Sequence, residues 1–138
     1  MAKVYFFYST MNAGKSTALL QSNHNYKESN LKTLLFIPSV IGNKSKGKII
    51  SRIGLESDAV VVNKKYDFFK EISQSNYKKI SCIFVDEAQF LTDDHVWQLA
   101  RAVDDLKVPI MCYGLRVDFR GKLFPGSAAL LALSDEMR

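Results

Sequence analysis

Cysteine, proline and tryptophan are scarce in this chain, at two, three and one copies. The two cysteines, Cys82 and Cys112, lie inside apolar runs and form no Cys-x-x-Cys pair. They exclude a disulfide framework, offer no zinc cage, and read as reduced thiols buried in strands. No apolar run approaches the length needed to span a bilayer. The start, Met1-Ala2-Lys3, leads directly into a strand-like run with no small-residue cleavage site, which argues against a secretory signal. A cytoplasmic protein with no membrane partner is the expectation. Repeats and linkers are missing too. What remains is 138 residues, 47% hydrophobic and 24% charged, the make-up of one globular domain.

The formal charge is +5. Lys44, Lys46, Lys48, Arg52, Lys64 and Lys65 gather in one stretch against only Glu56 and Asp58. Such a stretch can steer a polyphosphate or coat a solvated surface. Without interleaved aromatics it makes a poor platform for nucleic acid.

Apolar runs at Lys3 to Tyr8, Leu31 to Ile37, Ser81 to Val85 and Val108 to Tyr113 predict strands, the first of the kind buried on both faces and the third buried as well. The second is expected to stop at Pro38. Shorter strands are expected at Lys48 to Ile53 and Ala59 to Val62, and 39–48 reads as a flexible loop. Helices are predicted over Lys15 to Glu28, around Tyr66, Phe69 and Ile72, after Thr92, and toward Leu133. Thr92 is the expected cap, with Asp93 and Asp94 in the first turn and Val96, Leu99, Ala100, Val103 and Leu106 on one face. Strands alternating with helices predict an α/β fold with a mainly parallel sheet, as one domain over 1–138. His24 and His95 read as surface residues.

Two segments carry chemistry. Ser9-Thr10-Met11-Asn12-Ala13-Gly14-Lys15-Ser16-Thr17 joins the first strand to the first helix. Backbone N–H groups there converge at the positive end of the helix dipole, Gly14 permits close approach, Lys15 reaches the β- and γ-phosphates, and Ser16 can ligate magnesium. Gly-x4-Gly-Lys-[Ser/Thr] is not strictly met, because position 9 is Ser, but the donors are main-chain groups. The second segment is Val85-Asp86-Glu87-Ala88-Gln89-Phe90. A buried strand ending in Asp86 delivers a carboxylate to magnesium, and Glu87, pointing differently, can act as general base.

With Cys112-Tyr113-Gly114-Leu115-Arg116-Val117-Asp118-Phe119-Arg120-Gly121 and Ser51-Arg52-Ile53-Gly54-Leu55 added, the chain resembles a bacterial thymidine kinase of the cytosolic, tetrameric, zinc-containing family. The resemblance runs to about Asp135. It implies a P-loop NTPase (RecA-like) sheet and transfer of the γ-phosphoryl of ATP to the 5′-hydroxyl of thymidine, in deoxynucleoside salvage. It implies that Ser9 to Thr17 cradle ATP, that Ser16 and Asp86 serve magnesium, and that Glu87 is the catalytic base. Asp86 and Gln89 would line the nucleotide side, and Met11, Phe90, Leu115 and Phe119 the nucleoside pocket, with Phe119 against the base. A homotetramer is implied as well.

Two departures qualify that picture. The family's Asp-x-Arg after the second strand, which faces the ATP phosphates, is here Ile41-Gly42-Asn43. One lost charge-stabilising group costs about two to three orders of magnitude in rate, and Lys44 or Lys46 are the substitutes at hand. The family's cysteine-rich zinc element and base-clasping lasso would follow Arg138, so this chain is expected to be a fragment or a shortened relative. Other readings therefore stand beside the kinase: an ATP-binding module with impaired catalysis, and, further off, a P-loop ATPase acting on nucleic acid.

Overall fold

Runs apolar at every position supply core to both faces of a sheet, because successive side chains alternate across it. In β6 (Ile80–Val85), Ile83 and Val85 join one core cluster while Cys82 and Phe84 join the other. β2 (Lys32–Pro38) divides likewise, with Phe36 on one side and Leu35 and Ile37 on the opposite one. In β7 (Ile110–Leu115), Ile110 and Cys112 oppose Met111 and Tyr113. Together with β1 (Val4–Ser9), β5 (Val60–Val62) and β8 (Glu136–Met137) these strands form a six-stranded sheet in the order β5-β2-β6-β7-β1-β8. All its pairings are parallel. The structure, a computed structural model, describes residues 2–9, 15–51, 53–118 and 120–138.

Helices cover both faces, as an all-parallel sheet requires. α3 (Phe68–Gln74), α4 (Asp93–Leu106) and α5 (Pro125–Leu133) pack Phe68, Ile72, Leu99, Val103 and Leu130 against Val4, Phe6, Phe36 and Ile110. On the other face α1 (Lys15–Glu28) lays Leu19 and Leu20 over Leu35, Ile37, Phe84 and Tyr113. Ile49 of β3 (Lys48–Ile50) completes that layer, and β3 pairs antiparallel with β4 (Glu56–Asp58). Burying each such side chain contributes roughly 1.5–3 kcal/mol.

Several expectations need correction. Pro38 does not stop β2 but is its last residue, in register with Val62, where the ladder ends and a missing N–H costs little. The stretch 39–48 is not all loop: Ser39–Gly42 forms a helical turn, α2, closed by the Asn43 N–H donating to the Ser39 carbonyl at 3.1 Å. The strand expected to Ile53 ends at Ile50, because Ser51 and Leu55 close a turn through the Ser51 N–H and hydroxyl. Arg52 lies outside the described residues. Tyr66 precedes α3 instead of lying within it, though its ring packs on Phe36 and Phe68.

His95 is not a surface residue; it is 3% exposed. Thr92 Oγ1 accepts from the His95 N–H at 3.1 Å while His95 Nδ1 accepts from the Thr92 N–H at 3.2 Å. Imidazole thus takes the place a Glu or Gln holds in a capping box. Burial lowers its pKa, against backbone acceptors and Asp94 that raise it. His24 is exposed, beside Glu28 at 3.1 Å. On α4 the buried set includes Ala102, and Ala100 is only partly covered.

Candidate active site

In a parallel sheet flanked by helices, ligands settle beyond the carboxyl ends of the strands. β1, β6 and β7 end at one edge, with Ser9 in register with Leu115. β7 lies between β1, which leads toward the phosphate-loop segment, and β6, which leads to the acidic pair. Asp86 continues the ladder by one bond, its N–H donating to the Phe36 carbonyl at 3.0 Å. Lys15, Ser16 and Thr17 form the first turn of α1. Thr10, Met11, Asn12, Ala13, Gly14 and Phe119, all expected in the site, lie outside the described residues.

Across this edge, two side chains of α1 meet two carboxylates. Ser16 Oγ donates to Asp86 Oδ2 at 2.7 Å, and Lys15 Nζ lies 2.5 Å from Glu87 Oε1. Asp86 is 2% exposed, and its Oδ1 has no hydrogen-bond partner among the described residues. Burial pushes its pKa up, opposed by the Lys15 ammonium and the Ser16 hydroxyl. The Ser9 hydroxyl at the end of β1 is likewise buried without a described partner. An orphaned carboxylate oxygen beside a hydroxyl that has given its hydrogen away, and keeps its lone pairs, is a hard-oxygen donor set fitting magnesium. Zinc finds no such fit. Cys82 and Cys112 are buried in strands, burial raises their thiols to about 11 and about 12, and no group of three or more His, Cys, Asp or Glu side chains that could hold a metal occurs among the described residues.

Glu87 has φ 52° and ψ 39°, a left-handed backbone costing a non-glycine residue roughly 1–2 kcal/mol. That twist parts its side chain from Asp86 and starts a single 3₁₀ turn, Ala88–Phe90. Gln89, 1% exposed, donates from Nε2 to Glu87 Oε2 at 2.7 Å and accepts at Oε1 from the Leu115 N–H at 3.1 Å. The Leu115 carbonyl accepts from the Ser127 hydroxyl. Phe90 stacks edge-on against Phe124, with centroids 5.6 Å apart. Phe90 thus ends this 3₁₀ turn, and Leu115 is bonded to it through Gln89.

Sequence reasoning missed the small residues that make this fit. A Cβ on Gly114 would sit 2.6 Å from Gln89 Oε1, and one on Gly126 would sit 2.3 Å from the Ala88 carbonyl oxygen. Gly126 follows Pro125, whose place at the start of α5 is a helix-start signal; nothing local marks Gly114 or Ser127. Lys44, Lys46, Lys64 and Lys65 are exposed, and Lys48 pairs with Glu56 at 3.3 Å. Grooves of about 550 Å³ between α1 and β4, and about 520 Å³ between α3 and α4, are not lined by the acidic pair.

Comparison with known proteins identifies the family. A family model described as thymidine kinase matches residues 2–138. The chain is 57% identical to a thymidine kinase of Ruegeria pomeroyi, over all of this chain and 70% of that protein. It is 58% identical to one from Jannaschia, over all of this chain and 71% of the relative. A thymidine kinase of Pasteurella multocida is 51% identical over 99% of this chain and 72% of its own length.

Proposed function

The chain belongs to the thymidine kinase family, ATP-dependent phosphotransferases, and from that premise we propose how its own residues divide the transfer to the 5′-hydroxyl of thymidine. The observation that carries the proposal is the convergence of Lys15, Ser16, Asp86 and Glu87 at one strand edge. Ser9 to Ser16 hold the triphosphate through main-chain N–H groups, with Thr17 behind them in the first turn of α1. Lys15 neutralises charge on the β- and γ-phosphates. Its ammonium sits on Glu87 at 2.5 Å, so phosphate and base share one cation. Glu87 accepts the proton of the 5′-hydroxyl as that oxygen bonds to the γ-phosphorus and ADP departs. Met11, Phe90, Leu115 and Phe119 wall the nucleoside, and Asp86 and Gln89 line the nucleotide side.

Ser16 and Asp86 would hold magnesium, which supplies charge neutralisation on the phosphates when bound. Phosphoryl transfer is mainly positioning and electrostatic stabilisation, and these few groups suffice for it. Asp86 can serve a cation because burial has left one oxygen unpartnered. The family also supports a cytoplasmic homotetramer. Among the described residues no helix is long and apolar enough to cross a membrane.

A second reading, a nucleotide-binding core without transfer, is favoured by Ile41. Where the resemblance expects a phosphate-facing carboxylate, Ile41 packs against the Leu35–Ile37–Phe84 cluster. Incubation with ATP, magnesium and thymidine, with thymidine monophosphate followed directly, separates the two. Product that falls by about 10²- to 10⁴-fold in Glu87→Gln supports the kinase. ATP binding that Lys15→Ala abolishes, with no product from the unaltered chain, supports the core alone.

A further inference from the structure

Glu87 divides its two oxygens between two elements: Oε1 meets Lys15 of α1 and Oε2 meets Gln89 of the 3₁₀ turn. Gln89 also takes the Leu115 N–H, and Leu115 is in turn tied to α5 through Ser127. We propose that Gln89 is a positioning residue for the transfer, holding the Glu87 carboxylate in place and making its orientation depend on the Leu115 segment that walls the nucleoside. This rests on the reading of Glu87 as the base.

Only an amide of this length meets both demands. The Leu115 N–H requires an acceptor, and the Glu87 carboxylate requires a donor, so the network admits one orientation of the amide and not its flip. Glutamate would keep the acceptor but lose the donor, methionine would lose both, and asparagine is one methylene short. The site is built around this head group. Gln89 is 1% exposed, and the missing Cβ of Gly114 leaves the room its Oε1 occupies. From below, the Gly126 backbone approaches the Ala88, Gln89 and Leu91 carbonyls so closely that a Cβ there would lie 2.3, 3.0 and 2.9 Å from them. With its backbone held in a left-handed turn, Glu87 has these two side-chain anchors, and removing Gln89 leaves only Lys15, which the phosphates also claim. A base whose carboxylate swings loses rate without losing ATP affinity.

The test is steady-state thymidine phosphorylation between pH 5.5 and 8.5 for the unaltered chain, Gln89→Glu, Gln89→Met and Gly114→Ala, with Glu87→Gln in parallel. Gln89→Glu is expected to lower kcat about 10- to 100-fold near pH 8, with KM for ATP nearly unchanged. Its deficit should shrink as pH falls, because the introduced carboxylic acid regains a donor on protonation. Gln89→Met should show the same loss with no recovery, and Gly114→Ala, which displaces Gln89 without changing it, should resemble Gln89→Met. Wild-type kcat in Gln89→Glu at every pH, beside an inactive Glu87→Gln, overturns the role of Gln89 alone. An active Glu87→Gln overturns the base assignment and the positioning role with it. If the variants unfold, or the chain binds ATP without turnover, NMR of the unaltered protein decides. The Gln89 side-chain amide protons must exchange slowly with water and give a through-space contact to the Glu87 side chain; an amide that exchanges freely and shows no such contact overturns the proposal.

Discussion

Asp86 shows what a single buried charge costs and what it makes available. Burial raises its pKa despite Lys15 and Ser16. A carboxyl raised in the fold contributes stability at pH below the ordinary carboxylate range and loses it as pH rises through the raised value. At neutral pH Asp86 is therefore a liability for folding, held where a cation can use it. Asp86→Asn is expected to keep or raise the melting temperature while eliminating turnover, measured by thermal unfolding and by thymidine monophosphate formation on the same preparation. His95 runs the other way. Burial lowers its pKa, so its contribution is present above the ordinary imidazole value and lost as pH falls through the lowered one. Thermal melts from pH 7.5 to 5 should show that loss, and His95→Gln, which preserves a capping box, should flatten it. The thiols complete the set: raised to about 11 and about 12, Cys82 and Cys112 should resist alkylation at pH 8 until the protein is unfolded.

Elements were legible in proportion to how much of their cause is local. α1 spans Lys15–Glu28 as its sequence predicts, and Thr92 caps α4 as expected. Removing that cap by Thr92→Ala should cost about 1 kcal/mol, read as a lowered denaturation midpoint. β4 and β8 escaped because they exist through their partners: Glu56-Ser57-Asp58 is polar, and Glu136–Met137 is strand only beside β1. His95 was misread because imidazole on a helix gives no local sign that it folds back onto Thr92. In the site, the meeting of Lys15, Ser16, Asp86 and Glu87 was legible because they stand in two compact motifs at strand ends. Gly114, Gly126 and Ser127 were not, because they answer to backbone and side-chain atoms distant in the chain. Gly126→Ala should therefore act at a distance, displacing the Ala88–Phe90 turn and destabilising the fold by about 1–3 kcal/mol. Circular-dichroism melts beside an ATP-binding titration would register both effects.

For the whole molecule, a net charge of +5 raises the question of nucleic acid, and Lys44, Lys46, Lys64 and Lys65 of the basic stretch are exposed with no aromatics interleaved among them. Single-stranded DNA is expected to leave ATP turnover unchanged; a stimulation that collapses with salt would reverse that expectation. The parallel sheet has a further consequence, for the order in which the molecule is made. β1, which precedes its partner strands in the sequence, lies between β7 and β8, in register with Ile110 to Leu115 on one side and Glu136 to Met137 on the other. Those contacts join residues far apart in sequence, and loops so long must close before any reward is felt, which slows folding. On the ribosome β1 emerges before the strands it pairs with, and both its edges stay unpaired until β7 and β8 have followed. A strand left unpaired this long is exposed to misassembly during biosynthesis, and it is the one that leads into the segment proposed to hold phosphate.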